Sequence, residues 1–304
     1  MLSQERLSQE ALSKVGLSSA SSANLEENAA KSPRPDLTVA IGPLILKNPV
    51  IAASGVFGYG LELAAFCPPE RLGAVIVKGL SQTPWPGNPG HRMIEAAGGL
   101  LNSIGLQNIG AEAFVSGPLK ELKKTGAMVG ANVIGRTVPE YAAACEVIAD
   151  SDADFIELNI SCPNLASDGG LSFGADPAAA ARLTEAAIKA VRGAKPLWVK
   201  LPPLTADIGG LAKKLEEAGA GALSLINTLP GLSINLETMR PQLGNVTGGL
   251  SGPPIKPLAL RQVYLASRAV KIPVIGLGGV MEAEDALEFM AVGACAVQLG
   301  TAIL

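Results

Sequence analysis

One cysteine stands out for its place in the chain. Cys162 lies in ELNISCPN, residues 157–164, which begins as a strand with alternating apolar residues and ends in a turn. In that turn the cysteine lies between a serine and a proline. A thiol with a pKa of about 8.5 becomes a base when nearby cations favour the thiolate, and the chain has a single histidine, His91, to compete for that role. Asp168, Gly169 and Gly170 allow the following loop, residues 161–177, to fold over a site. We therefore predict that Cys162 is a proton acceptor.

Polar residues also end each of eight short apolar runs. Lysines and amides among Val, Ile and Leu are costly to bury without partners, and a bound, partly anionic ligand would supply them. The last two runs end in glycine pairs or Gly-Thr, which suit phosphate binding because bare backbone N–H groups can reach the oxygens. Glycines that only allow tight turns are the alternative. The strand-end residues are Ser54, Lys78, Asn132, Asn159, Lys200, Asn227, Gly278-Gly279 and Gly300-Thr301.

Phosphate and lysine together fit two cofactors. Pyridoxal phosphate would use Lys78 or Lys200 as a Schiff base, whereas flavin mononucleotide (FMN) would use a lysine to offset the negative charge of the reduced ring. Composition does not separate the two. Cys162, as a base beside the site, favours the flavin.

The elements that must position these residues alternate between strand and helix. Near-continuous apolar runs are typical of a parallel sheet covered on both faces, and eight of them predict a (β/α)8 TIM barrel. A doubly wound sheet would usually show G-x-G-x-x-G after its first strand, which is absent. Residues 37–46 predict a hairpin before the barrel, and the long connections 80–126 and 228–272 predict loops on its C-terminal face. The runs are NPVIAAS, GAVIVKG, AMVGANVIG, DFIELNI, PLWVKL, GALSLIN, IPVIGLGG and ACAVQLG.

The two ends of the chain differ from the middle. Residues 1–36 are rich in serine and charge, and their leucines recur every fifth residue, which does not form one helical face; we predict a flexible extension. Its glutamates argue against a transit peptide, so the predicted location is the cytoplasm. Residues 289–304 are apolar but short, and predict a buried helix end and a core strand, with no membrane span.

Charge and cysteine spacing exclude several classes. The net charge is −3 and no basic stripe is present, which argues against nucleic acid. The four cysteines form no C-x-x-C pair, so no metal or iron–sulfur site is predicted, and scattered thiols indicate a reduced, intracellular protein. Cys145 and Cys295, and with them Cys67, are predicted to pack as small apolar residues. Trp85 and Trp198 are also predicted to pack.

The motifs together resemble a known family. From about residue 38 to the end, the chain is similar to class 1 dihydroorotate dehydrogenases, and NISCPN, INTL and NVTGGLSGP look most like the catalytic subunit of subclass 1B. The other blocks that carry the resemblance are NPVIAASGVFGYG, VKGLSQTPWPGNPGHR, LLNSIGLQNIG, LINTLPG, TGGLSGPPIKP, PVIGLGGV and VQLGTA.

The resemblance implies FMN in the barrel mouth and the oxidation of dihydroorotate to orotate in pyrimidine biosynthesis. Cys162 would take a proton from C5 of dihydroorotate while C6 delivers hydride to the flavin. When the family's motifs are matched to this chain, the resemblance implies flavin contacts at Ser54, Lys78, Gly79, Asn132, Asn159, Lys200, Ile226, Gly252, Gly278, Gly279, Gly300 and Thr301. It implies substrate contacts at Lys78, Asn102, Ser103, Ile104, Gly105, Leu106, Asn159, Asn227 and Thr228.

Partners follow from the resemblance too. Subclass 1B implies a homodimer core and an iron–sulfur, FAD-containing subunit that passes electrons to NAD. This chain departs from the pattern at residues 200–204, KLPPL in place of KLSPN, and by its extension at residues 1–36. It also stops right after the eighth strand, where relatives continue into a final helix. We therefore expect a fragment, or a partner that covers the exposed barrel flank.

Three other functions remain open. A dihydropyrimidine dehydrogenase-type barrel would share the flavin and the loop cysteine, but its substrate lacks the carboxylate of dihydroorotate. A non-catalytic, truncated scaffold subunit would lack flavin absorbance. A tRNA dihydrouridine synthase is disfavoured because no basic surface is predicted.

Overall fold

Eight parallel strands form a closed barrel in the computed structural model, which describes residues 35–161 and 173–304. The strands are β3 Val50–Ala52, β4 Ala74–Leu80, β7 Val129–Val133, β8 Phe155–Asn159, β9 Leu197–Lys200, β10 Ala222–Leu225, β15 Val274–Leu277 and β16 Ala296–Leu299. They follow one another round the ring in this order, and β16 pairs with β3 to close it. The predicted TIM barrel is confirmed; seven of the eight strands lie inside their predicted runs, and β4 extends one residue beyond its run, to Leu80.

Helices connect most of these strands and cover the ring. Several begin at a side-chain cap: Thr137, Asp176 and Asp207 each accept a hydrogen bond from a backbone N–H in the first helical turn. The helices are α1 Ala111–Ser116, α2 Pro118–Lys124, α3 Val138–Ala149, α4 Pro177–Val191, α5 Ile208–Glu217, α6 Lys256–Ser267 and α7 Ala283–Ala291. Within the described residues, no helix is long and apolar enough to cross a membrane.

The predicted N-terminal hairpin closes one end of the barrel. β1 (Val39–Ile41) pairs antiparallel with β2 (Leu44–Leu46), and Gly42 has the positive φ of 57° that the turn between them requires. Ile41 and Leu46 are fully buried against Phe155 and Trp198, which lie near the beginnings of their strands. The hairpin therefore seals the N-terminal end with apolar side chains.

The two long connections form a second sheet at the opposite end. The first contributes β5 (Met93–Ala96) and β6 (Gly99–Asn102), and the second contributes β11 (Leu229–Leu232) and β14 (Thr247–Ser251). These pair antiparallel in the order β11-β14-β6-β5, and we call this sheet the roof. The short pair β12 (Ile234–Asn235) and β13 (Arg240–Pro241) extends from the second connection. The prediction of elaborated loops beyond the strands is confirmed.

Aromatic rings fill the sealed end of the barrel. Phe155 and Trp198 stack with their ring centroids 3.9 Å apart. The neighbouring strand β7 has Gly130 at this level, where a Cβ atom would collide with the Phe155 ring. Trp198 is 1% exposed, so the prediction that it packs is confirmed.

Candidate active site

A cavity of about 610 Å³ lies between the C-terminal ends of the barrel strands and the roof. This volume is within the usual range for small-molecule sites, about 300–1,000 Å³. Every flavin or substrate contact implied by the resemblance lines this one cavity, except Cys162. Cys162 and the loop with Asp168, Gly169 and Gly170 lie outside the described residues, as does most of the predicted extension at residues 1–36.

Two lysines border the cavity. Burial lowers the pKa of Lys78, and the nearby charge of Arg92 lowers it further. Burial also lowers the pKa of Lys200, which is only 4% exposed, while the carboxylate of Glu157 partly offsets that effect. In the described part of the chain neither ammonium group has an ion-pair partner within 4.0 Å. Both lysines are therefore available to an anionic ligand.

A chain of hydrogen bonds joins three residues near the end of β8. Asn227 Nδ2 donates to Ser161 Oγ at 2.5 Å, and Ser161 Oγ donates to Asn159 Oδ1 at 2.6 Å. Tyr141, on α3, donates its hydroxyl to the Asn159 carbonyl oxygen at 2.6 Å. This network fixes the two asparagines at the mouth of the barrel, immediately before the Cys162 position.

The segment from Asn102 to Leu106 forms another wall of the cavity. Asn88 holds it by donating from Nδ2 to Ser103 Oγ at 2.9 Å, and Arg92 in turn donates from Nε to the Asn88 carbonyl oxygen. At Gly105 φ is 74° and a Cβ atom would collide with Asn88, so only glycine fits this turn. The wall is thus shaped before any ligand binds.

Glycines form the far end of the cavity. Gly278 and Gly279 have φ values of 119° and 81°, and a Cβ atom on Gly279 would lie 2.7 Å from Lys256 Cβ. Gly252 and Ile255 lie just before α6 and also line the cavity, so the N-terminus of this helix is at the same end. Exposed backbone at a helix N-terminus favours an anion such as phosphate.

Comparison with a sequence model of a protein family shows which family this chain belongs to. The model described as dihydroorotate dehydrogenase matches residues 36–304, which includes the whole barrel, the roof and the cavity. The chain belongs to the dihydroorotate dehydrogenase family. Membership supports a flavin cofactor.

Curated members of this family are similar to the chain over most of its length. A protein of Citrifermentans bemidjiense is 51% identical over 270 residues, covering 88% of each chain. Proteins of Geobacter sulfurreducens, 51% identical over 272 residues, and Alkaliphilus oremlandii, 48% identical over 269 residues, have the same coverage. All three are named dihydroorotate dehydrogenase B (NAD(+)), catalytic subunit.

Several residues in or beside the cavity were not identified from the sequence. Glu157 is fully buried and binds Asn132, and Ser161 links the two mouth asparagines. The sequence does contain an indication of Glu157. It is a charged residue two positions before Asn159 in a buried strand, so it must lie on the same face of that strand as Asn159. Gly249 and Ser251 of the roof also line the cavity, and their position depends on pairing with β6, which no local pattern reveals.

The three cysteines predicted to pack do so, and Cys67 is partly buried against the apolar cluster that contains Phe57 and Leu72. Cys145 is fully buried in α3, and burial raises the pKa of its thiol to about 12. Cys295 is half-buried before β16, and burial raises its pKa to about 11. A thiol with so high a pKa is a poor base at neutral pH.

Proposed function

We propose that this chain is the catalytic subunit of an NAD-linked dihydroorotate dehydrogenase, which oxidises dihydroorotate to orotate in pyrimidine biosynthesis. The observation that carries the proposal is the meeting of Lys78 and Lys200 in one cavity, where neither has an ion-pair partner among the described residues. Two desolvated ammonium groups are costly unless an anionic ligand compensates them. A phosphate-bearing flavin and a carboxylate substrate would do so.

The cavity suits FMN as the flavin. Asn132 Oδ1 is buried and has no hydrogen-bond partner in the described part of the chain, so a ligand donor can fill that position. The bare backbone at Gly278 and Gly279, beside the N-terminus of α6, suits the phosphate. The residues that would hold FMN are Ser54, Lys78, Gly79, Asn132, Asn159, Lys200, Ile226, Gly252, Gly278, Gly279, Gly300 and Thr301. Bound FMN supplies the acceptor for the hydride.

The other walls suit a small polar ring with a carboxylate. The segment from Asn102 to Leu106, held by Asn88, presents backbone and side-chain groups to the cavity. Asn159, Asn227 and Thr228 would bind the polar edges of dihydroorotate, and Lys78 would serve both ligands. Holding the reacting carbons in register contributes to the rate because it removes orientational freedom beforehand.

Cys162 is the base in this proposal, and it removes the proton from C5. Its neighbour Ser161 is 3% exposed and bonded to both mouth asparagines, so the chain enters the Cys162 loop from a fixed point. Lys200 would stabilise negative charge on the reduced ring.

Electrons then leave through a partner. The relatives are named catalytic subunits with NAD(+), and we propose an iron–sulfur, FAD-containing subunit as the partner of this chain, with a homodimer of barrels at the centre. We propose residues 37–304 as the FMN-binding domain and residues 1–36 as an extension of it, in a cytoplasmic enzyme.

Anaerobic mixing with dihydroorotate tests the proposal. The purified chain should carry a yellow flavin, released as FMN on denaturation, that dihydroorotate bleaches and dihydrouracil does not. Cys162→Ala should retain the flavin and lose most of the bleaching rate at neutral pH, whereas the matched control Cys67→Ala should behave as wild type. Bleaching by dihydrouracil would favour a dihydropyrimidine dehydrogenase, and absence of flavin would favour a scaffold. The names of the relatives favour neither alternative.

A further inference from the structure

A carboxylate is buried inside the barrel, just below the cavity. Glu157, on β8, is fully buried and accepts three hydrogen bonds of 2.7 Å, two on Oε1 from Ser224 Oγ and Gln298 Nε2 and one on Oε2 from Asn132 Nδ2. The donors come from β10, β16 and β7, and β16 lies opposite β8 across the ring. The carboxylate is therefore in the interior of the barrel.

The first consequence concerns the direction of the Asn132 amide. Because Nδ2 donates to Glu157, the carbonyl oxygen Oδ1 must face away from the carboxylate. That oxygen lies beside Gly79, it is buried without a partner among the described residues, and Asn132 lines the cavity. A buried, unsatisfied carbonyl is unfavourable because it loses its hydration on folding without gaining a partner. A ligand that donates a hydrogen bond there removes this penalty.

The second consequence concerns the charge of Lys200. Lys200 is two residues after Trp198 on β9, and it pairs with Asn159, two residues after Glu157 on β8, so Lys200 and Glu157 both share the interior face with the stacked rings of Trp198 and Phe155. The other described charge at this cavity is Lys78 on β4, and the remaining polar neighbours, Asn132 and Gln298, are neutral. Glu157 is thus the buried anion that favours the ammonium form of Lys200, against the effect of burial.

We propose that Glu157 is a positioning residue for the flavin, resting on the proposed FMN site. It would keep Lys200 protonated where the flavin would bind, and it leaves the Asn132 carbonyl oxygen free to accept a hydrogen bond from the cofactor. One buried carboxylate thereby sets both an ammonium donor and a carbonyl acceptor of the cofactor site. No contact between Glu157 and the reacting atoms is needed for this role.

A double-mutant cycle on the full-length, flavin-free chain tests the charge link. Glu157→Gln keeps the shape of the side chain and removes the charge, and Lys200→Met removes the ammonium group. At pH 7, Glu157→Gln should reduce the folding equilibrium constant at least about tenfold more in the wild-type background than in the Lys200→Met background. Equal effects within about twofold would overturn the link.

The double variant covers the case in which Glu157→Gln alone does not fold. A folded Glu157→Gln/Lys200→Met protein would then support the proposal, because removing both charges leaves no uncompensated ammonium group. An unfolded double variant would contradict it, since the carboxylate would then be required for packing alone.

The effect on the site is tested by measuring FMN affinity between pH 6 and pH 10. Flavin fluorescence recovers when FMN dissociates, and this recovery gives the affinity. In wild type, affinity should fall at alkaline pH as Lys200 loses its proton. In Glu157→Gln the fall should begin about one pH unit lower, with at least about tenfold weaker binding at pH 8. Lys200→Met should lack the loss of affinity that is caused by deprotonation of Lys200. Any pH dependence of FMN affinity that this variant retains comes from other groups, including the flavin itself.

Ser224→Ala is the matched control, because it removes one hydrogen bond to Glu157 and leaves the charge and the Asn132 contact. It should retain the wild-type profile. A wild-type profile in Glu157→Gln would overturn the positioning role. Failure of the wild-type chain to bind FMN would reject the proposed function instead, and the double-mutant cycle would still decide the charge link.

Discussion

The two ends of the barrel interior are built by the same strands and have opposite properties. At the end sealed by the hairpin, β8 and β9 contribute the stacked rings of Phe155 and Trp198. Two residues further along each strand, Glu157 and Lys200 are similarly buried and carry charge. Residues two apart share a face of a strand, so this change occurs within about 7 Å. Side chains at the sealed end stabilise the fold, whereas at the mouth we expect the desolvated lysines Lys78 and Lys200 to reduce its stability until a ligand binds.

The comparison is tested most strongly at the sealed end. Trp198→Ala should reduce the free energy of unfolding by about 3–5 kcal/mol, because it removes a fully buried ring stacked on Phe155. Trp85→Ala makes the same change on a half-buried residue of the connection after β4, where the ring contacts Arg136 at 4.7 Å, and should cost clearly less. Urea denaturation of both variants measures the difference. Equal losses would contradict the conclusion that the sealed end of the barrel is a core that stabilises the fold.

At the mouth, removing a buried side-chain charge should increase the free energy of unfolding instead of reducing it. Lys78→Met should increase the stability of the flavin-free protein by about 0.5–2 kcal/mol at neutral pH, because the ammonium group is desolvated on folding. The pKa of Lys78 is lower in the folded than in the unfolded chain, so this penalty is complete at low pH. It declines as the pH rises through the folded pKa and vanishes above the unfolded pKa of about 10.4.

Thermal denaturation of wild type and Lys78→Met across this pH range gives the difference directly. The gain should shrink toward alkaline pH, and flavin should be retained less well by the variant. A loss of stability at neutral pH would mean that the lysine is paired in the flavin-free protein.

A smaller effect is expected where the mouth rests on the surrounding helices. Tyr141→Phe removes the hydroxyl that donates to the Asn159 carbonyl oxygen and should reduce stability by about 0.5–1.5 kcal/mol. The same change at Tyr264, which is 44% exposed, should have almost no effect. Chemical denaturation of the two variants separates a buried hydroxyl from an exposed one.

The least perturbing test uses the thiols outside the mouth. Cys145 and Cys295, with pKa values of about 12 and about 11, should react with a thiol reagent at pH 8 only slowly while the protein is folded. Urea should make both reactive within minutes, and peptide mass spectrometry identifies the labelled sites. Rapid labelling of Cys145 in the folded protein would show that α3 opens easily.

The barrel was predictable because each strand can be identified from a short stretch of the sequence. Each is a short apolar run, and its last residue marks the mouth, so the order of residues along the chain is enough to place Lys78, Asn132 and Lys200 together. The family resemblance added the roles, such as hydride transfer to FMN, that spacing alone leaves open.

Other features depend on contacts between distant parts of the chain. The pairing of β6 with β14 is decided by neither segment alone, so the roof residues Gly249 and Ser251, which line the cavity, were missed. The role of Glu157 follows from three donors on three other strands, and the direction of the Asn132 amide follows from that carboxylate. A sequence pattern gives the face of a residue but not its partners across a ring.

The roof also determines when the protein can first accept its cofactor during synthesis. Asn102 Nδ2 donates to the Gly249 carbonyl oxygen, a contact that spans 147 residues. At about 5–20 residues per second, a ribosome needs roughly 7–30 s to make the chain between them. During that interval β5 and β6 have emerged without β14, and the cavity lacks a wall. Flavin loading is therefore expected to be a late event, because the cavity lacks its roof until β14, residues 247–251, has left the ribosome.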